Sequence, residues 1–271
     1  MLGGDEATVA IIHGSIEMNN KTKNITKIQN IIEKLGENHV DLIIVPQMIN
    51  GVPLYRYSVG VKKIKQTTET IPGSTSQEIS DMANKYNKNL LVGPILERRG
   101  TKLYRSAFLV IPMLGLKGVV RQLETSNDYG SGLEAPIFDM NKFKVGILIA
   151  EDVFYPEISL ILNLINIDVL VFYPTLEMDL YKQRHLIVMR AIENKCTSIM
   201  IGGTITRKGE ALLEIPTIAV DENGDIIEEI IGTEDKILLI KINVKEKKES
   251  ITRHRRNVLL KLRKTLPYFT K

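Results

Sequence analysis

Apolar runs of strand length alternate with amphipathic helical patterns along the chain. ATVAIIHG (residues 7–14) reads as a buried strand. KTKNITKIQNIIEKLGEN (21–38) puts Ile25, Ile28, Ile31, Ile32 and Leu35 on one helical face, and DLIIVP (41–46) reads as the next strand. A loop with Pro53, Gly60, Pro72 and Gly73 follows, then STSQEISDMANKYNK, where Ser74 three residues before Gln77 suggests a capping box. NLLVGPI is a strand, and KLYRSAFLVIP and LKGVVRQL are two strands joined by a turn around Gly115. KFKVGILI, DVLVFYP and CTSIMIGG read as strands separated by the helices PEISLILNLIN and DLYKQRHLIVMRAIENK. IPTIAVDENGDIIEEIIG and KILLIKINV close the pattern, with a turn at Glu222, Asn223 and Gly224. No internal repeat or low-complexity segment interrupts it. The pattern predicts a layered α/β fold in a single domain over residues 1–244, followed by a basic arm over 245–271.

Composition narrows this picture. A chain of 271 residues, 44% hydrophobic and 25% charged, suffices for one large core. The net charge of +4 is concentrated at the end: residues 241–271 carry +9 and residues 1–240 carry −5. Such an arm can meet an acidic surface or nucleic acid, but its apolar stretches VLLKL and LPYF favour a segment packed on the domain or on a partner subunit. A single cysteine, Cys196, excludes an intrachain disulfide or multi-cysteine metal site. The longest apolar stretch, ISLILNLINIDVLVFYP, contains Asn163, Asn166 and Asp168 and reads as a helix and a strand rather than a membrane span. The opening MLGGDEATVAIIHGS carries an acidic pair instead of a basic leader, so a cytoplasmic location is expected.

The stretch VGILIAEDVFYPEIS (145–159) runs from a strand into a helix, a usual place for a catalytic group, yet Ala150 stands at the turn. Its neighbours carry a wider resemblance. VDLIIVPQ, LYRSAFLVIP with GLKGVVRQLE, VGILIAEDVFYPE, RAIENKC and IAVDENGDII, in that order, resemble signatures of the carbon-nitrogen hydrolase, or nitrilase, superfamily over nearly the full chain. The resemblance implies a four-layer α-β-β-α sandwich that commonly dimerises. It also implies a chemistry in which Glu is the general base, Lys stabilises the oxyanion and Cys is the nucleophile. Carried over residue by residue, these positions fall on Gln47, Gln122 and Ala150. A shift of one residue would put Arg121 at the Lys position.

A methyl group offers no lone pair for acyl transfer, and a glutamine amide neither titrates nor carries charge. The expectation is therefore a non-catalytic member with no catalytic residue, no metal and no cofactor. Its pocket is drawn from Gln47, Gln122, Glu124, Glu134, Ala150, Glu151, Asp152 and Tyr155, and the loops 49–73 and 122–136 set ligand choice. It would bind a small amide or carboxylate, or serve as a scaffold in a homodimer, a higher homo-oligomer or an assembly with an active relative. The competing expectation is an amide hydrolase with relocated chemistry, in which Glu151, Asp152 or Glu124 acts as a base or holds a divalent metal. Asp152 is expected to orient the turn and Glu157 to favour a helix start. Cys196, His13 and His185 are expected to be packing residues, with Arg190, Glu193 and Asn194 stabilising a helix end and nearby loops.

Overall fold

The computed structural model describes residues 6–54, 68–125, 129–244 and 249–262. Gly60 and parts of both expected ligand-choosing loops lie outside them.

Two six-stranded sheets form the centre. The first has the order β15 (Lys236–Asn243), β1 (Glu6–His13), β3 (Leu42–Val45), β4 (Leu90–Arg99), β5 (Lys102–Ile111), β6 (Gly115–Arg121). The second has the order β14 (Ile226–Ile230), β13 (Thr217–Val220), β10 (Thr197–Met200), β9 (Val169–Tyr173), β8 (Lys144–Ile149), β7 (Ile137–Asp139). In each sheet three central strands run parallel, β1-β3-β4 and β8-β9-β10, and antiparallel strands flank them. Parallel strands need crossover segments, which is why the apolar runs are separated by helical patterns.

The helices supply the outer layers. α1 (Lys21–Leu35) and α2 (Ser74–Tyr86) cover the first sheet, and α3 (Pro156–Leu164) and α4 (Leu180–Asn194) cover the second. Strand alternation divides the core accordingly. Val169, Val171 and Tyr173 of β9 join the apolar layer between the sheets, whereas Leu170 and Phe172 pack with Ile158, Leu162 and Ile187 of the outer helices. The four-layer α-β-β-α sandwich is thus a direct consequence of strands buried on both faces.

α1 buries the isoleucine face read from the sequence and stops at Gly36, whose φ of 55° suits the residue that ends a helix. The start of α2 differs from the expected Ser74–Gln77 box. Gly73 is the cap, Ser76 Oγ accepts from its N–H at 2.8 Å, and Gln77 reaches Asp81 instead. The Glu69 carboxylate accepts from the Thr75 N–H at 2.8 Å, supplying the acidic partner that a helix start favours. A small third sheet, β2 (Ser15–Glu17), β11 (Gly203–Arg207) and β12 (Glu210–Ile215), closes one end. α5 (Glu249–Leu262) lies on α3, and Arg255 donates to the Glu193 carbonyl. Among the described residues no helix is long and apolar enough to cross a membrane.

Candidate functional site

Strand ends of both sheets converge on one site. Pro46 breaks β3 and is followed by Gln47; Gln122 follows β6; Ala150 follows β8; Pro174 and Thr175 follow β9. The crevice beyond the carboxyl ends of parallel strands is the usual binding position in such sheets. β4 comes close here because Gly93 has no side chain: a Cβ would lie 2.6 Å from the Tyr173 ring and 2.7 Å from the Gln47 nitrogen.

At the turn after β8, Ala150 has φ 53° and is fully buried. The left-handed region costs a non-glycine residue about 1–2 kcal/mol, so the surrounding structure must impose it. The Asp152 carboxylate does much of this. It accepts from the N–H groups of Ile149 at 3.3 Å, Leu123 at 3.1 Å and Glu124 at 2.8 Å, tying the turn to the end of β6. Burial pushes its pKa up to about 7 although these N–H bonds pull it down, and neighbouring Glu151 adds to the rise. On the other side, the Arg190 guanidinium donates to the Val153 carbonyl at 2.9 Å and to Glu193 at 2.6 Å, and Asn194 donates to Ser159 at 2.7 Å. Asp152, Arg190, Glu193 and Asn194 therefore hold the turn.

The residue after Ala150 turns inward. Glu151 accepts from Arg105 at 2.8 Å, from the Gln122 amide at 2.6 Å and from the Thr175 hydroxyl at 3.0 Å. The Arg105 side chain is only 3% exposed; it also donates to the carbonyl oxygen of Gln122 at 3.1 Å and of Leu54 at 3.3 Å, and its guanidinium lies 4.4 Å from the centre of the Tyr129 ring. A positive charge therefore does stand beside Gln122, supplied by the neighbouring strand β5. Arg105, Thr175 and Glu177 were not singled out from the sequence. The available signal was a lone arginine within the apolar run LYRSAFLVIP.

Strand alternation separates Arg121 from this site. It points to the opposite face, where two guanidinium nitrogens each lie 2.7 Å from the Glu97 carboxylate, which also accepts from Ser106 at 2.6 Å. Glu97 and its own burial act in opposite directions on Arg121, with the carboxylate dominating and raising its pKa. The one-residue shift that would place Arg121 among the pocket groups is thus corrected by the geometry. Glu134 goes with Arg121, lining a separate hollow of about 370 Å³ with Tyr104 and Arg99 rather than meeting Gln122.

Gln47 is 5% exposed; its amide nitrogen reaches the Pro174 carbonyl at 3.4 Å, and its Oε1 has no hydrogen-bond partner. Tyr155 stands at the open side of the turn, partly exposed. Burial and the carboxylates of Glu124, Glu151, Asp152 and Glu157 raise its pKa. The Glu177 carboxylate lies 3.7 Å from Arg105. Among the described residues no three histidine, cysteine or acidic side chains are grouped as a metal site. Cys196 is buried in the core of the second sheet and its helices. His13 is satisfied by Thr217 at 2.8 Å and the Gly232 carbonyl at 3.0 Å, and His185 by the Tyr181 carbonyl at 2.8 Å.

Comparison with known proteins gives a consistent result. Residues 8–250 match the sequence model of the family described as Carbon-nitrogen hydrolase. A protein of Pyrococcus abyssi named nitrilase is 27% identical over 208 residues, covering 74% of this chain and 75% of that protein. A CN-hydrolase superfamily protein of Xanthomonas campestris, solved with an arsenic adduct in its active site, superposes with a TM-score of 0.72 at 15% identity, over 93% of this chain and 95% of that one. The amidase of Nesterenkonia sp. AN1, solved as a double mutant with a glutamate changed to glutamine and a cysteine to alanine and in complex with acrylamide, gives 0.72 at 14% identity, over 94% and 96%.

Proposed function

The chain belongs to the carbon-nitrogen hydrolase family, and from that premise we propose that it is a non-hydrolytic member, which holds a small polar molecule in the hydrolase pocket without cleaving it. The observation that carries this reading is Ala150: buried, in a left-handed turn, at the end of β8, with only a methyl group at the place where the family resemblance puts the nucleophile. Covalent acyl transfer needs a lone pair on an activatable atom, and Ala150 has none. Gln47 cannot accept a proton as a carboxylate does. The double mutant of the Nesterenkonia amidase gives a physical parallel, because it carries the same two residue types and is in complex with an amide.

A second reading has one observation in its favour: Glu151 faces the site. A general base needs a free lone pair directed at the proton it removes, and Glu151 instead accepts from three donors, one of them a guanidinium. That arrangement supports a structural carboxylate. Self-association also belongs to the proposal, with a second copy covering Ile161, Tyr181 and Met189, which stand exposed on α3 and α4.

Native mass spectrometry of the protein from its own cell lysate tests both parts. The expected species is a homo-oligomer with a small molecule that leaves on denaturation, each chain keeping its unmodified mass. A chain carrying a covalent acyl adduct would overturn the non-hydrolytic reading.

A further inference from the structure

Gln47 and Glu151 stand on neighbouring parts of the wall. The Gln47 amide nitrogen contacts the Pro174 carbonyl, and the next residue, Thr175, donates its hydroxyl to Glu151. One buried acceptor on this wall, Gln47 Oε1, is unpaired. Leaving a buried acceptor unmade costs about 1–3 kcal/mol, and a ligand N–H would recover that cost.

Charge points the same way. Two carboxylates, Glu151 at 2.8 Å and Glu177 at 3.7 Å, meet the single guanidinium of Arg105 at the mouth, and the Glu177 N–H donates to the Thr175 hydroxyl on the same wall. Arg105 lies beneath the surface with its charge already met by Glu151 at 2.8 Å and its face against Tyr129, which leaves Glu177 as the carboxylate with charge to spare. An anionic ligand would have to pass the acidic mouth and displace Glu151 from Arg105. A neutral amide would satisfy Gln47 and leave the field of the mouth unused. A cation uses both, and clefts lined by one sign of charge concentrate ligands of the other. Glu151 is 26% exposed on its side chain and Glu177 45%, so both carboxylates are reachable from solvent.

We propose that the site takes a small organic cation with N–H donors, a primary ammonium or an amidinium, whose charge faces Glu177 and whose N–H reaches Gln47 Oε1. The proposal rests on the reading that the pocket binds without cleaving, and it names the class of ligand.

Acetamidine, acetamide and acetate are nearly the same size and differ in charge and donors, so the three separate the alternatives. Each is titrated into the full-length protein at pH 7.5 and fixed ionic strength, with binding followed by ligand-observed NMR. Acetamidinium is expected to bind at least about tenfold more tightly than acetamide, with acetate weakest. Gln47→Leu is expected to weaken acetamidinium about fivefold or more through the lost acceptor. Glu177→Gln, at a half-exposed position where folding is not at risk, is expected to weaken it by a smaller factor and to flatten its salt dependence. Tighter binding of acetamide or acetate overturns the cationic class and leaves the non-hydrolytic pocket standing. If none of the three binds up to high millimolar concentration, the ligand-binding reading fails and the cation class fails with it.

Discussion

Glu151→Leu is expected to destabilise the protein by about 3–5 kcal/mol, the usual consequence of removing one partner of a buried charge pair. Arg105 is nearly inaccessible and would lose its 2.8 Å carboxylate partner, while Glu177 stands farther off at 3.7 Å. The Gln122 amide and the Thr175 hydroxyl would lose an acceptor at the same time. Arg105→Met is expected to cost less, about 1–3 kcal/mol, because Glu151 is partly exposed and can take up water. The combined Arg105→Met/Glu151→Leu variant removes both charges together, so it is expected to be more stable than the sum of the single changes by about 2 kcal/mol. Urea midpoints at constant slope measure all four corners of this cycle. Additive effects would mean that the pair holds nothing together.

The stability of the protein is expected to fall as pH rises from about 4 to 7. The Asp152 carboxyl has a folded pKa of about 7 against an ordinary value of 3.8, because burial outweighs the three backbone N–H bonds it accepts. Between those two values the folded state binds more protons than the unfolded one, so raising the pH through that window favours unfolding. At 1.36 kcal/mol per pH unit the loss reaches up to about 4 kcal/mol, and it is complete above pH 7. Glu17, Glu69 and Asp221 act in the opposite sense. Burial raises the pKa of Glu17 and Glu69 but is outweighed by their hydrogen bonds and, for Glu69, by Lys21, and hydrogen bonds lower that of Asp221, so their contribution is present at higher pH and is lost as the pH falls below about 4.5. The two effects are separated by subtracting the profile of Asp152→Asn, whose amide does not titrate. That variant is expected to lie lower overall and to lack the decline between pH 4 and 7. Parallel profiles for the two proteins would remove Asp152 as the cause.

The sandwich was legible because its strands are buried on both faces and therefore read as continuous apolar runs, as in DLIIVP and DVLVFYP. The small third sheet was not legible. β2 is three residues long, and its partner strand lies more than half the chain away, with Ser15 opposite Thr204. A strand that short has no period to read. The start of α2 was missed by one residue because Ser74 and Ser76 both fit a cap, and only the backbone places Gly73 there. At the site, Ala150 could be found from its surroundings, since VGILI and EDVFYPE mark the strand and the turn. Arg105 was marked only as a lone arginine in an apolar run, and a strand reading does not say which face meets the second sheet. The same alternation explains Glu134, which follows Arg121 rather than Gln122.

The central claim is that Ala150 ends hydrolysis while the pocket around it persists, and the most direct measurement is ammonia release from a panel of short amides and nitriles. The wild-type protein and Glu151→Gln are compared at equal concentration, with long incubation. No ammonia above the protein-free blank from either is the expected result, since no nucleophile stands at the turn and the Glu151 oxygens are committed to Arg105, Gln122 and Thr175. Steady release by the wild type that disappears in Glu151→Gln would contradict the account and make Glu151 a relocated catalytic base.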